Sequence, residues 1–154
     1  MKRLLYILGV LVLTLNAISC RDCYYIENDL HGVWQVTSVE RLSTGEVKLA
    51  RGKLYYSFQR TMVMLGYKYS NVPEEGMENY ISHFDFITQD SIGMGYFRVS
   101  TSGESGKDAY EQKIPLETLH KFGIYQDYTM FRMELSKQNL ILTSDSARIV
   151  CRRY

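Results

Sequence analysis

The sequence predicts an all-β fold, an antiparallel up-and-down barrel of about eight strands with one short helix. Three observations carry that expectation. Apolar and polar residues alternate in short runs from residue 32 onward. Clusters of turn-forming residues, such as Ser43-Thr44-Gly45 and Gln89-Asp90-Ser91, divide the runs, which is the spacing of a sandwich or barrel. The composition agrees, with 13 tyrosines and only 2 prolines in 154 residues, because aromatic side chains sit well on a pleated surface. An eight-stranded sheet of this length removes its exposed edges by closing on itself.

Taken in chain order, the N-terminus is a leader. Lys2 and Arg3 precede an apolar run from Leu4 to Leu15, and a polar break at Asn16 leads to Ala17-Ile18-Ser19-Cys20. That is the layout of a secretory signal peptide, assigned to residues 1–19. The run is shorter than the roughly 20 residues that a membrane-spanning helix needs. Residues 20–30 read as a tether, and residues 31–154 as one domain with a single core.

The domain opens on "GVWQVTSVER" (32–41), where Trp34, Val36 and Ser38 share one face and Val33, Gln35 and Thr37 the other. "STGEV" (43–47) supplies turn residues. "KLYYSF" and "MVMLGYKY" form two apolar strands around Gln59-Arg60-Thr61. "YISHFDFI" puts Tyr80, Ser82, Phe84 and Phe86 on one face, and "IGMGYFRVS" follows as one strand. A polar loop at 101–108 precedes "AYEQKI" (109–114), read as a strand. In "PLETLHKFG", Pro115 suits a helix start, Leu116, Leu119 and His120 have helical spacing, and Gly123 is a stop. "YTMFRMEL" and "NLILTS" make a hairpin about Ser136-Lys137-Gln138, and "ARIVCRRY" is the last strand.

Ala17-Ile18-Ser19-Cys20 resembles a bacterial lipobox, with Ala17 where leucine is usual. The resemblance implies cleavage before Cys20 and acylation of its sulfur. A lipid-anchored protein of the bacterial cell envelope follows, at the outer membrane rather than the inner; plain secretion is the alternative. A thioether at Cys20 leaves Cys20-Arg21-Asp22-Cys23 neither redox-active nor metal-binding. Cys23 and Cys151 remain, and in an oxidising compartment such a pair invites a disulfide, worth ~4 kcal/mol in the chain-entropy account. Two free thiols are the alternative.

Gly32-Val33-Trp34 resembles the G-x-W of lipocalins. That resemblance implies that Trp34 lies across the closed end of the barrel, under an arginine of the last strand. Arg148, Arg152 and Arg153 are the candidates. "LETLHKFGI" and "ELSKQNLILTSDSARIVCRRY" are similar to segments of the small lipocalin-like lipoproteins of Bacteroidetes. The likeness covers about 31–154 and lacks the T-D-Y segment of the larger members. It implies a fold and an address more than an activity.

Composition and motifs narrow the function. Lys2 and Arg3 belong to the leader, so the mature chain carries 16 of the 18 basic residues against 17 acidic ones. A nucleic-acid binder shows a basic excess or stripe, and neither is present. His31, His83 and His120 have no second ligand at metal spacing. His83 and Asp85 share a strand face, where an imidazole and a carboxylate can pair for acid–base work or simply be solvated; solvation is the expectation. Gly93-Met94-Gly95 lacks the rest of a phosphate loop and reads as relief of crowding or a bulge. Glu74, Glu75 and Glu78 group on a loop expected to be solvated. No enzyme, metal or cofactor is expected.

What remains is an aromatic interior. Tyr56, Phe58, Phe84, Phe86 and Phe131, with Trp34, either fill a core or line a cavity for a small hydrophobic ligand. The competing expectation is a filled barrel whose outer surface meets an envelope protein. The helix is expected to lay Leu116, Leu119 and Phe122 on the sheet and to cap one mouth of the barrel; the alternative is that it packs on the outer wall and only bridges strands.

Overall fold

The computed structural model describes residues 29–67, 79–100 and 114–154. Ten strands form one antiparallel sheet: β1 (Gly32–Arg41), β2 (Glu46–Leu49), β3 (Leu54–Gln59), β4 (Met62–Tyr67), β5 (Asn79–Thr88), β6 (Ser91–Gly95), β7 (Arg98–Ser100), β8 (Tyr128–Leu135), β9 (Asn139–Thr143) and β10 (Ala147–Arg153). A short helix, α1 (Leu116–Leu119), runs into a 3-10 turn at His120–Phe122. Sequential neighbours pair around a ring of β1, β3, β4, β5, β6, β8, β9 and β10, and β10 returns to β1. The result is a closed eight-strand up-and-down barrel. The two further strands lie beside it, β2 on β1 and β7 on β5.

Alternation explains the core. Tyr56 and Phe58 of β3, Val63 and Leu65 of β4, Phe131 and Met133 of β8, and Leu140 and Leu142 of β9 are buried, while their neighbours face out. Inward apolar residues at a period of two, on strands whose hydrogen bonds close a ring, leave no polar backbone edge inside. Leu30, Phe122 and Ile124 join the same core from outside the sheet.

Three departures from the expected strands have local causes. In β1 the pairing slips between Val36 and Ser38, so Val39 faces in and Ser38 does not. One extra residue reverses the alternation beyond it. Thr37 sits at the slip, and its hydroxyl donates to the Val150 carbonyl at 2.9 Å. "STGEV" is only partly a turn, because Glu46 and Val47 begin β2, whose four residues are all exposed. "IGMGYFRVS" is not one strand. Met94 pairs Phe84 and Arg98 pairs Ile81, so Gly95, Tyr96 and Phe97 oppose only Ser82 and His83. Tyr96 takes up the extra residue at φ 54°, and beyond it Phe97 turns inward.

Residues 1–28, including the leader, Cys20 and Cys23, lie outside the described residues, as do Glu74, Glu75, Glu78, the 101–108 loop and all of "AYEQKI" except Ile114.

Candidate functional site

The end of the barrel where β1 begins is sealed by Trp34. Its ring is fully buried, and Nε1 donates to the Leu30 carbonyl at 2.8 Å. The guanidinium carbon of Arg153 stands 5.1 Å from the ring centroid. Arg153 also donates to the carbonyls of His31 at 2.9 Å and Asp29 at 3.3 Å, tying the incoming chain to the last strand. Gly32 has φ 129°, and the same guanidinium lies 3.5 Å from where a side chain would start.

The arginine over Trp34 is therefore Arg153, not Arg148 or Arg152. Register decides it. Ala147, Ile149 and Cys151 face in, so Arg148 and Arg152 face out and Arg153 continues the inward row. Arg152 instead donates from Nε to Gln35 Oε1 at 2.7 Å, and Gln35 holds the Tyr55 hydroxyl at 2.9 Å on the outer wall. Parity along "ARIVCRR", counted from the apolar Ile149, was the signal that separates the three.

Four of the five predicted interior aromatics form a continuous chain of ring contacts. Tyr56 stacks on Phe58 at 6.0 Å, Phe58 meets Phe84 edge-on at 5.2 Å, and Phe84 meets Phe86 at 5.7 Å. Phe131 is buried in the same cluster, whereas Phe86 is only partly buried at its edge. Edge-on and offset arrangements at these distances are favourable in themselves. These side chains pack against one another rather than standing apart around a space.

Tyr56 donates its hydroxyl to the Phe122 carbonyl at 2.6 Å. Burial, then the nearby Cys151, pushes its pKa well above the ordinary tyrosine value. Cys151 is a free thiol, fully buried, and burial raises its pKa to about 12. A thiol so placed is packing rather than a nucleophile. Its suggested disulfide partner, Cys23, lies outside the described residues.

The opposite mouth is covered by α1 and its 3-10 turn. Leu119 and Phe122 are buried and Leu116 is partly so, as their spacing predicted. Phe122 meets Tyr56 of β3 and Tyr80 of β5 edge-on, at 6.3 and 6.1 Å. Gly123 closes the turn with φ 81°, and a side chain there would meet Ile149 of β10 at 2.7 Å and Val39 of β1 at 3.2 Å. The segment thus touches inward residues from four strands around the ring. It sits in the mouth of the barrel and does not lean on its outer wall. Tyr80 and Ile124 were not among the predicted interior residues. Tyr80 was legible as a member of the Phe84 face, but Ile124 follows a helix stop and carries no period of its own.

On the outer wall His83 and Asp85 are exposed, as expected of a solvated face. Gly93 and Gly95 mark close approach. A side chain at Gly93 would overlap the Tyr128 hydroxyl, and one at Gly95 would overlap the Asp127 carbonyl. Two hollows open on this wall. One of about 410 Å³ lies over β5 and the Tyr96 bulge, and one of about 320 Å³ lies beside Tyr55 and Tyr154. Among the described residues no group of three or more His, Cys, Asp or Glu is placed to hold a metal. Nor is any described helix long and apolar enough to cross a membrane.

Residues 11–154 match the family described as Lipocalin-like domain. Two solved structures are similar. A lipocalin-like protein from Bacteroides uniformis ATCC 8492 aligns at TM-score 0.55 and 16% identity over 82% of this chain and 99% of that one. An uncharacterized protein from Bacteroides eggerthii DSM 20697 aligns at TM-score 0.58 and 18% identity over 81% and 99%. At such identities the likeness is one of fold. No curated protein matches in sequence.

Proposed function

Since the chain belongs to the lipocalin-like domain family, we propose that it is a non-catalytic binding protein that takes a small hydrophobic molecule into the barrel and is tethered to the bacterial cell envelope by lipid on Cys20. The observation that carries this reading is the closure of the two ends. One is held by a buried indole, a guanidinium and backbone hydrogen bonds. The other is covered by four residues of helix and one 3-10 turn, held to the barrel wall by apolar and aromatic contacts, by the Lys121 ammonium over the Tyr67 and Tyr80 rings and by the Tyr56 hydrogen bond.

A segment this short has no stability of its own and can swing out as a unit. Its departure uncovers Tyr56, Tyr80, Val39 and Ile149, an apolar mouth with two tyrosine hydroxyls. A ligand burying ~300 Å² of apolar surface there gains ~7 kcal/mol before the cost of association. The address rests on the basic start, the short apolar core and the Ala-Ile-Ser-Cys ending.

The test uses N-phenyl-1-naphthylamine, whose fluorescence rises in apolar surroundings. Leu119→Ala should change the probe's affinity several-fold while lowering the melting temperature by only a few degrees. No binding by the parent protein, or equal losses in binding and stability, makes α1 ordinary packing. The second reading is then favoured, a filled barrel whose outer surface meets an envelope protein. The direct ring contacts of Tyr56, Phe58 and Phe84 are the observation behind it. Native mass spectrometry of protein taken from its own membrane separates the two by the presence or absence of a co-purifying small molecule.

A further inference from the structure

We propose that the outer wall carries a carbohydrate site, in which a neutral sugar ring lies against Tyr96 and Tyr128 in the 410 Å³ hollow over the β6–β7 bulge. This site is separate from the barrel mouth, and its volume falls within the roughly 300–1,000 Å³ of small-molecule sites. It rests on four features that converge.

The first is backbone conformation. Tyr96 holds φ 54°, a region that a bulky side chain rarely adopts, and its amide is fixed by donation to the Asp127 carbonyl at 2.7 Å. The Ser82 hydroxyl also donates to the Gly95 carbonyl. Strain that the surroundings over-determine concentrates at functional sites, and bulges re-aim side chains beside them. Here the bulge turns a tyrosine that simple alternation would bury into one that is 66% exposed.

The second is the pair of glycines. Gly93 leaves room for the Tyr128 hydroxyl and Gly95 for the chain at Asp127. Glycine weakens a strand interior, yet two stand here with one residue between them. Their joint effect is to let Tyr128 lie along the wall next to Tyr96.

The third is the aromatic surface itself. The two rings are 6.1 Å apart and tilted by 32°, so they form a shallow, continuous plate rather than a slot. Met62, 41% exposed, and Ile81 extend it. An aromatic face carries negative charge density and so attracts the weakly positive C–H face of a sugar ring.

The fourth is the polar rim. His83, Asp85 and Arg98 border the same hollow. A carboxylate accepts hydrogen bonds and a guanidinium only donates them. Both signs around one plate disfavour an ion of either charge. A neutral polyol, whose every hydroxyl both donates and accepts, satisfies both. The hollow is open to solvent, which suits one ring of a longer glycan.

The experiment begins with the parent protein on an array of neutral, uronic and sulfated glycans, followed by saturation-transfer-difference NMR with the free neutral oligosaccharides that bind. Neutral glycans should give the signal. Tyr96→Gly should weaken binding at least ~10-fold, or about 1.4 kcal/mol, and melt no lower than the parent, because glycine accepts φ 54° without strain. Asp85→Asn, at an exposed position, should weaken binding several-fold with an unchanged melt. The proposal is overturned if no neutral glycan binds, if only charged glycans bind, or if Tyr96→Gly binds as the parent does. Leu119→Ala should leave this binding unchanged, so success or failure here is independent of the barrel-mouth reading.

Discussion

At the lower end of the barrel an indole and a guanidinium divide the work of sealing, and single substitutions can apportion it. Trp34→Ala removes a fully buried ring and should lower unfolding free energy by ~3–5 kcal/mol in urea titrations. Arg153→Ala loses the ring contact and two charged hydrogen bonds to backbone, about 1–3 kcal/mol. Arg148→Ala, on the exposed side of the same strand, should stay within ~0.5 kcal/mol. Equal effects from Arg148 and Arg153 would contradict the register that separates them. Cys151 offers a different test. Its folded pKa of about 12 lies above the ordinary 9.0, so between those values the folded state keeps a proton that the unfolded chain gives up. The stabilisation is complete below about pH 9 and is lost as pH rises towards 12, by ~1.4 kcal/mol per pH unit. Tyr56, raised above 10.0 by its burial, adds a second loss beginning at higher pH. Between pH 9 and 11 the parent should therefore lose stability more steeply than Cys151→Ala. A parallel dependence in the two proteins would exclude Cys151 as a source of the slope.

Single strands show where sequence patterns inform and where they fail. Strands β3, β4, β8 and β9 were legible because each buries one face, and burial is what writes a period of two into a sequence. β2 was not, since all four of its residues are exposed and nothing constrains their polarity. The bulge at Thr37 was invisible for another reason, and the one at Tyr96 was signalled only by the neighbouring Gly93 and Gly95. A bulge is a pairing between strands, and alternation within one strand says nothing of its partner. The aromatic interior was readable as a set, and the helix carrying Phe122 was expected to cap one mouth, but its ring partners Tyr56 and Tyr80 could not be named from helical spacing alone. Glycine spacing in β6 was the better clue, because it pointed to crowding that the structure places under Tyr128 and Asp127. Gly95→Ala should be the more damaging of the two changes, since backbone must retreat, with a loss of about 2–4 kcal/mol. Gly93→Ala meets only the tip of a side chain and should be cheaper. Thermal melts of both variants check the order, and a reversed order would mean that Tyr128 is held more firmly than the Asp127 backbone.

For the whole molecule, the address and the architecture make a joint prediction. The chain reaches the barrel through residues 29–31, beside Trp34 and Arg153, at the end opposite α1. Lipid on Cys20 would therefore hold the Trp34 end near the membrane and leave the α1 mouth pointing away, on a tether reaching at most ~35 Å when extended. Cys20→Ser should release the protein from the membrane fraction or block its processing. A variant that stays membrane-bound and correctly cleaved would remove the lipid anchor, and with it the orientation.

The return of β10 to β1 sets a clock on biosynthesis. Thr37 and Val150, 113 residues apart, must meet before the ring can close. At a synthesis rate of roughly 5–20 residues per second, the first strand waits ~6–20 s for its last partner to be made. During that interval Trp34 and the inner face of β1 lack the neighbour that buries them, and an unpaired apolar strand is an aggregation hazard. Nascent chains stalled just short of Ala147 should therefore be captured by holdase chaperones and cut readily by protease. Chains released after Arg153 should be neither.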